Sequence, residues 1–240
     1  MKKFINKLFE TMINNNQTIY LSPSKLNLFQ ECPLCFWLHM VKGIHRPEGP
    51  SSTLPRGMDN LIKKYFDRYR KNREMPPEIK GKVRGKLLED QNLLNEWRKT
   101  TKTSSPRFFD KELNACLFGG LDECFVDGDY FIPVDYKTRG FDLKEDSLFY
   151  YQTQLDCYTF LLEAEGYRHL SFGYLIYYIP IRVGENGKVQ FKIEVYKIET
   201  NPKRGYDIFQ KAVRCIRGSK PAFHSQCKFC SWGNDFANFE

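Results

Sequence analysis

Two Cys-x-x-Cys pairs, Cys32-Pro33-Leu34-Cys35 and Cys227-Lys228-Phe229-Cys230, stand far apart in a 240-residue chain. A single pair arises often by accident. Two in one chain predict a four-thiolate metal site, and only a fold that brings residues 32–35 and 227–230 together can build it. Four thiolates suit zinc or an iron–sulfur cluster. The other use of cysteine, disulfide bridging, belongs to small secreted proteins, whereas this length predicts one large domain. The opening segment MKKFINKLFETMINNN is charged throughout and lacks the apolar centre of a secretory signal; no apolar run reaches the ~20 residues of a membrane span. The sequence therefore predicts a cytoplasmic protein. Cys116, Cys124, Cys157 and Cys215 fall in apolar patterns and read as small buried hydrophobes. His45 and His224 lie near the cysteine pairs and could each replace a thiolate, but the histidines have no ligand spacing among themselves.

Charge is distributed unevenly. The chain carries a net charge of +8, and residues 63–107 alone hold 14 basic and 6 acidic side chains, a surplus equal to that of the whole molecule. A surplus confined to one segment is what a phosphate-tracking face requires, although such runs also occur as plain solvated surface.

The hydrophobic pattern sets the element order. Phe4, Ile5, Leu8, Phe9, Met12 and Ile13 form one stripe of an amphipathic helix, with residues 1–19 as helix and linker and 20–240 as the main domain. Ser22 and Ser24 are caps for a helix running through the first cysteine pair. A proline- and serine-rich loop over 44–56 is followed by Gly57, which opens a second amphipathic helix that stops before Pro76-Pro77. A further helix is predicted from about Lys86 to Lys99. Residues 113–138 are rich in β-branched and aromatic side chains and contain Asp127-Gly128, a hairpin signal, so they read as three antiparallel strands. A helix over 147–165 ended by Gly166, strands at 171–180 and 189–198, and a helix near 203–217 complete the chain. The expected fold is α/β: a mixed sheet of about five strands flanked by helices, with the two ends clamped by the cysteine site.

Within this frame, Gly120-Leu121-Asp122 lies on one strand and Val134-Asp135-Tyr136-Lys137-Thr138 on the next, one hairpin later. Asp135 and Lys137 are two apart, so on a strand they share a face while Tyr136 takes the other. Asp122, across the hairpin, reaches the same face. Two carboxylates beside an ammonium make a hard oxygen site suited to Mg²⁺ or Mn²⁺, ions that neutralise phosphate charge and activate water. Gln154 and Tyr158 lie four apart on one face of the following helix.

The order G-x-D, hairpin, D-x-K, then a helix with Q-x-x-x-Y resembles the PD-(D/E)XK nuclease superfamily with its restriction-endonuclease-like fold, and specifically its RecB-like branch, which includes CRISPR-associated exonucleases. The resemblance implies metal-dependent DNA hydrolysis in recombination, repair or CRISPR adaptation, on single-stranded or end-bearing DNA. It also implies a helicase or adaptation-protein partner, because the chain carries no helicase motif. By the same resemblance Asp122, Asp135 and the Tyr136 carbonyl hold the metal, Lys137 assists the attacking water, and Gln154 and Tyr158 border the site. LSPSKLNLFQECP is similar to the branch's opening helix and LPRGMDNLIKKYFD to its second.

The sequence departs from the branch at two points. Four residues after Gly57, where a metal-binding histidine is expected, stands Leu61; Asp59, Asn60 and Asp67 are the polar substitutes nearby, with Asp59 the preferred ligand. The branch often holds a four-iron four-sulfur cluster with one cysteine from the opening helix and three near the C-terminus. Here Phe236 stands where the last of these belongs, so Cys35 takes its place and the site becomes two plus two. The missing histidine leaves a catalytically impaired DNA-binding or scaffold module as the alternative.

Overall fold

Tyr174, Ile176 and Tyr178 join one hydrophobic core while the alternate residues Leu175, Tyr177 and Ile179 join another, and all are buried. A strand buried on both faces requires cover on both, and this requirement organises the molecule. The computed structural model describes residues 17–47, 53–103, 106–143 and 148–237. The N-terminal stripe over residues 1–14 and the side chain of Phe236 lie outside the described residues. The chain divides into two compact units, one of residues 49–108 and 118–206, the other of the chain up to 48, 109–117 and 207 onward.

In order along the chain, the elements are β1 (Ile19–Leu21), α1 (Pro23–Glu31), α2 (Pro33–Lys42), α3 (Leu54–Lys71), β2 (Lys86–Leu87), α4 (Gln91–Trp97), β3 (Arg107–Asp110) and β4 (Ala115–Phe118). They continue with β5 (Glu123–Asp127), β6 (Tyr130–Thr138), α5 (Gln152–Ala164), β7 (Phe172–Val183), β8 (Val189–Glu199), α6 (Pro202–Arg217) and α7 (Lys228–Ala237). The larger sheet has the order β2-β5-β6-β7-β8. β5 and β6 pair antiparallel around Gly128, whose φ of 59° supplies the left-handed turn a tight hairpin needs. β6 and β7 run parallel, joined through α5, and β8 returns antiparallel to β7. Gly173 permits this packing: a Cβ there would lie 2.8 Å from the Pro133 carbonyl and 3.1 Å from Leu155 Cδ2.

α3 covers one face of the sheet with Ile62 and Phe66 against Phe125, Val134, Tyr136 and Ile176. α4 and α5 cover the other with Leu94, Trp97, Leu155 and Leu162 against Leu175 and Tyr177. Among the described residues, no helix is long and apolar enough to cross a membrane.

The second unit contains most of a small sheet of order β1-β4-β3, in which β1 runs parallel to β4 with Ile19 opposite Ala115. Its α1 and α2 meet at Cys32, which ends one helix and caps the next. The following Pro33 lacks the N–H that would continue α1 and suits the first turn of α2. Gly43 ends α2 in the left-handed conformation.

Several expectations change. The opening helix is two helices preceded by a strand, because Pro33 breaks it. The second helix begins at Leu54, with Gly57 inside its first turns. The helix expected over Lys86–Lys99 is a short strand followed by seven residues of α4; Asp90 stops any earlier start by accepting from the N–H groups of Asn92 and Leu93. Of the three strands read in 113–138, β4 belongs to the smaller sheet.

Candidate active site and cysteine centre

The antiparallel register pairs Glu123 with Val134, so Asp122 falls opposite Asp135 one step further along. Val134 and Tyr136 point into the α3 core, which sends Asp135 and Lys137 to the α5 face at the C-terminal end of β6. Here Lys137 Nζ lies 2.5 Å from Asp135 Oδ2. α5 adds Gln154, whose amide nitrogen donates to Asp135 Oδ1 at 2.7 Å and to the Tyr158 hydroxyl at 2.5 Å, while its oxygen accepts from Lys137 Nζ at 3.4 Å. The Tyr151 ring flanks the same ammonium at 4.5 Å. Five residues expected at the site, Asp122, Asp135, Lys137, Gln154 and Tyr158, thus form one cluster. The side chain of Tyr136 lies across the sheet, where its hydroxyl donates to Glu123 at 2.9 Å.

The electrostatics follow from burial. Desolvation and then the neighbouring Asp135 raise the Asp122 carboxyl above its ordinary value, against the pull of Lys63 and Lys137. Burial pulls Lys137 down, but Asp135 outweighs it and holds the ammonium charged. Tyr158 is pushed well up by burial and by the two aspartates, so its hydroxyl stays neutral. Asp135 Oδ2 is buried and receives no well-directed hydrogen bond, because Lys137 approaches it closely but off-axis. An oxygen so placed beside a second carboxylate fits a hard divalent cation.

The α3 contribution is different from the one expected. Leu61 is 61% exposed and turned away from this cluster. One helical turn separates Asp59 from Lys63, and Lys63 Nζ bridges Asp59 Oδ2 at 2.8 Å and Asp122 Oδ1 at 2.6 Å. Asn60 is exposed, and Asp67 pairs with Arg70 and Arg98. Of the substitutes for the missing histidine, Asp59 is the one joined to the carboxylate cluster, through Lys63. Helical spacing carries this signal: Asp59, Lys63, Phe66 and Arg70 lie on one stripe of α3, and Leu61 lies off it.

Behind the site is a buried ionic cluster that the sequence reading missed. Arg70 and Glu123, both buried, are paired directly. Arg70 also bonds Asp67 and donates to the Leu88 carbonyl at 2.6 Å. Arg98 reaches Asp67 at 2.8 Å and Glu123 at 3.4 Å, and its Nε donates to the Asp122 backbone carbonyl at 2.8 Å. This last bond ties the strand end that bears Asp122 to the end of α4. Arg70, counted with the basic face, is therefore a buried structural residue. Arg68, Lys71 and Lys86 are exposed, whereas Arg84 pairs with Asp127.

In the other unit the four cysteines meet. All four Sγ atoms lie within 4.8 Å of one another, with Cys32 to Cys230 at 3.4 Å and Cys35 at 3.7 Å from both Cys227 and Cys230. α2 supplies Cys35, Cys227 immediately precedes α7 and Cys230 lies in its first turn, and Leu28, Leu34 and Leu38 pack around them. Cys227 is lowered to about 7: burial raises it, but the Cys230 N–H, the neighbouring thiols and the Phe229 N–H outweigh that. Arg46 Nη2 lies 3.7 Å from Cys227 Sγ, and its guanidinium also bonds Glu31 at 2.6 Å and covers the Phe229 ring. The set fits a tetrahedral zinc or an iron–sulfur centre by donor type. Cys116, Cys124 and Cys157 are buried singly, as expected for core thiols.

A profile of the PD-(D/E)XK nuclease superfamily matches residues 20–234. The chain belongs to the PD-(D/E)XK nuclease superfamily. A solved structure described as the crystal structure of SSO0001 aligns over 97% of this chain and 94% of that chain, at 15% identity and a TM-score of 0.45. No curated protein matches. PD-(D/E)XK proteins are typically metal-dependent phosphodiesterases, and membership implies a nucleic-acid substrate.

Proposed function

We propose that the protein is a Mg²⁺- or Mn²⁺-dependent DNA nuclease of the RecB-like exonuclease type. The observation that carries this reading is the single Gln154 amide group, which binds Asp135 and Lys137 together and so fixes a carboxylate and an ammonium at one sheet edge beside Asp122. Asp122, Asp135, the Tyr136 carbonyl and Asp59 would hold the divalent ion, which when bound supplies counter-charge for the phosphate and acidity for water. Lys137, restrained by Asp135, Gln154 and the Tyr151 ring, orients the attacking water and stabilises the negative charge that gathers on the phosphate oxygens. Gln154 keeps that ammonium aimed, and the neutral Tyr158 hydroxyl fixes Gln154 in turn. Phe149 and Tyr150, exposed on the turn leading into α5, offer rings on which the bases of single-stranded or end-bearing DNA stack.

Degradation of end-labelled single- and double-stranded DNA by the purified protein, with Mg²⁺, with Mn²⁺ and with neither, tests the reading. Metal-dependent loss of label that Lys137→Ala abolishes supports it. DNA binding with no degradation under any condition would leave the second reading, a nuclease-like binding module, which the exposed Leu61 favours. Pathway and partner follow the RecB-like resemblance: recombination, repair or CRISPR adaptation beside a helicase or adaptation protein.

For the cysteine centre the same resemblance favours a four-iron four-sulfur cluster, and the four-thiolate donor set takes one zinc equally well. Metal analysis of protein purified without oxygen decides: one zinc and no visible colour, against about four irons and a brown absorbance.

A further inference from the structure

Three carboxylates and two ammonium groups make up the site at the sheet edge, and each ammonium is already placed on a carboxylate. Lys137 rests on Asp135, and Lys63 spans Asp59 and Asp122. Lys63 arrives from a different element from the other lysine, on the inward stripe of α3, and only 20% of its side chain is exposed. Its Nζ lies within hydrogen-bond distance of both Asp122 Oδ1 and Asp59 Oδ2. A solvated surface lysine does not behave in this way: two carboxylates fix its position, and one of them is the aspartate assigned above to the divalent ion.

We propose that Lys63 is a built-in counter-cation that competes with the divalent metal for Asp122 and so sets how tightly this site binds metal. The proposal rests on the metal-dependent reading above and deepens it. On α3 an ammonium stands between Asp59 and Asp122. An ammonium 2.6 Å from Asp122 Oδ1 stabilises the carboxylate without metal, and it repels any second cation brought to the same oxygen. The cluster therefore assembles at no metal cost and binds its metal weakly. Asp59 contributes by giving Lys63 a second carboxylate oxygen, Oδ2, onto which it can withdraw when Asp122 engages the metal, leaving the other oxygen of Asp59 for the ion. The exchange moves one ammonium over a hydrogen-bond length and breaks no covalent bond.

Mn²⁺ binding to the full chain, followed by the loss of the free-ion electron paramagnetic resonance signal, tests this without relying on cleavage. Wild type, Lys63→Gln, Lys63→Arg and Asp122→Asn are compared, with melting curves confirming that each is folded. Lys63→Gln should bind Mn²⁺ at least tenfold more tightly than wild type. Lys63→Arg, which keeps the charge, should stay within about twofold of wild type, and Asp122→Asn should lose the site. Equal Asp122-dependent affinity in wild type and Lys63→Gln would overturn the role of Lys63 and leave the metal reading standing. Weaker binding in Lys63→Gln would do the same. Absence of Asp122-dependent binding in every variant would overturn both.

Discussion

The cysteine centre and the carboxylate edge each bring several acidic groups together, and they answer the same electrostatic problem in opposite ways. The carboxylate edge carries its own compensation: Lys63 and Lys137 are placed on Asp122 and Asp135, and behind them Arg70 and Arg98 neutralise Glu123 and Asp67. The cysteine centre gathers four sulfurs with one guanidinium, Arg46, at its rim. Four thiolates brought within a few ångströms of one another repel unless a cation or protons intervene, so a metal held by these four cysteines would add to the stability of this region. At the carboxylate edge, by the reading proposed above, a metal would serve chemistry alone.

The sharpest break in this contrast would come from stability. Replacing Cys32 or Cys230 with Ser should cost several kcal/mol, since a structural metal's binding energy appears as folding energy. Cys157→Ser, in the core but outside the cluster, should cost about 1 to 2 kcal/mol. Chemical denaturation with and without a thiol-competent chelator measures both, and equal losses would end the distinction.

The second comparison concerns chemistry. Asp135→Asn and Lys137→Gln, which keep the side-chain size and hydrogen-bonding capacity, should each lower cleavage by roughly 10³-fold in a protein that still folds and melts cooperatively. A cleavage assay run beside calorimetry reads both quantities. A cysteine variant that melts like wild type while losing cleavage would invert the assignment.

A smaller effect sharpens the picture of internal compensation. Glu123→Gln leaves Arg70 and Arg98 with Asp67 as their one remaining carboxylate partner and should destabilise by about 3 kcal/mol. It should also lower cleavage, because Arg98 holds the Asp122 backbone. Urea unfolding checks the first outcome, and an unchanged midpoint would show that Arg70 and Arg98 need no acidic partner there.

The least effect is expected from the exposed charges. Reversing Arg68, Lys71 and Lys86 together should reduce the slope of log affinity against log salt by up to about three if all face phosphates. An unchanged slope returns them to solvated surface.

Most of this contrast was legible in the residues. Spacing alone gave Asp135 and Lys137 a common face, because a strand has period two, and the D-x-K order with the downstream Gln154 and Tyr158 carried the family. The cysteine pairs implied that residues 32–35 and 227–230 meet. Lys63 was counted as one charge in a basic run because composition treats a run as surface, whereas the helical stripe shared with Phe66 places it inward. Arg70 was misread for the same reason. The ionic cluster was invisible because Glu123, Arg70 and Arg98 come from three elements, and no sequence pattern encodes their meeting. The short β1 and β2 were hidden because two or three residues carry no periodicity.

The two halves of the cysteine centre also lie far apart in the order of synthesis. Cys35 and Cys227 are separated by 192 residues, and the chain between them includes all of residues 49–108 and 118–206. At typical translation rates of about 5 to 20 residues per second, the first pair waits roughly 10 to 40 s for its partner. During that interval the whole carboxylate-bearing unit leaves the ribosome and can close around its own internal cations. The cysteine unit is discontinuous and can close only once its later half has been made, so an ion captured early by Cys32 and Cys35 would be held by half a site. Premature capture of the wrong metal is thus a kinetic hazard set by chain order, and the helix corner at Cys32-Pro33 is the place where it would begin.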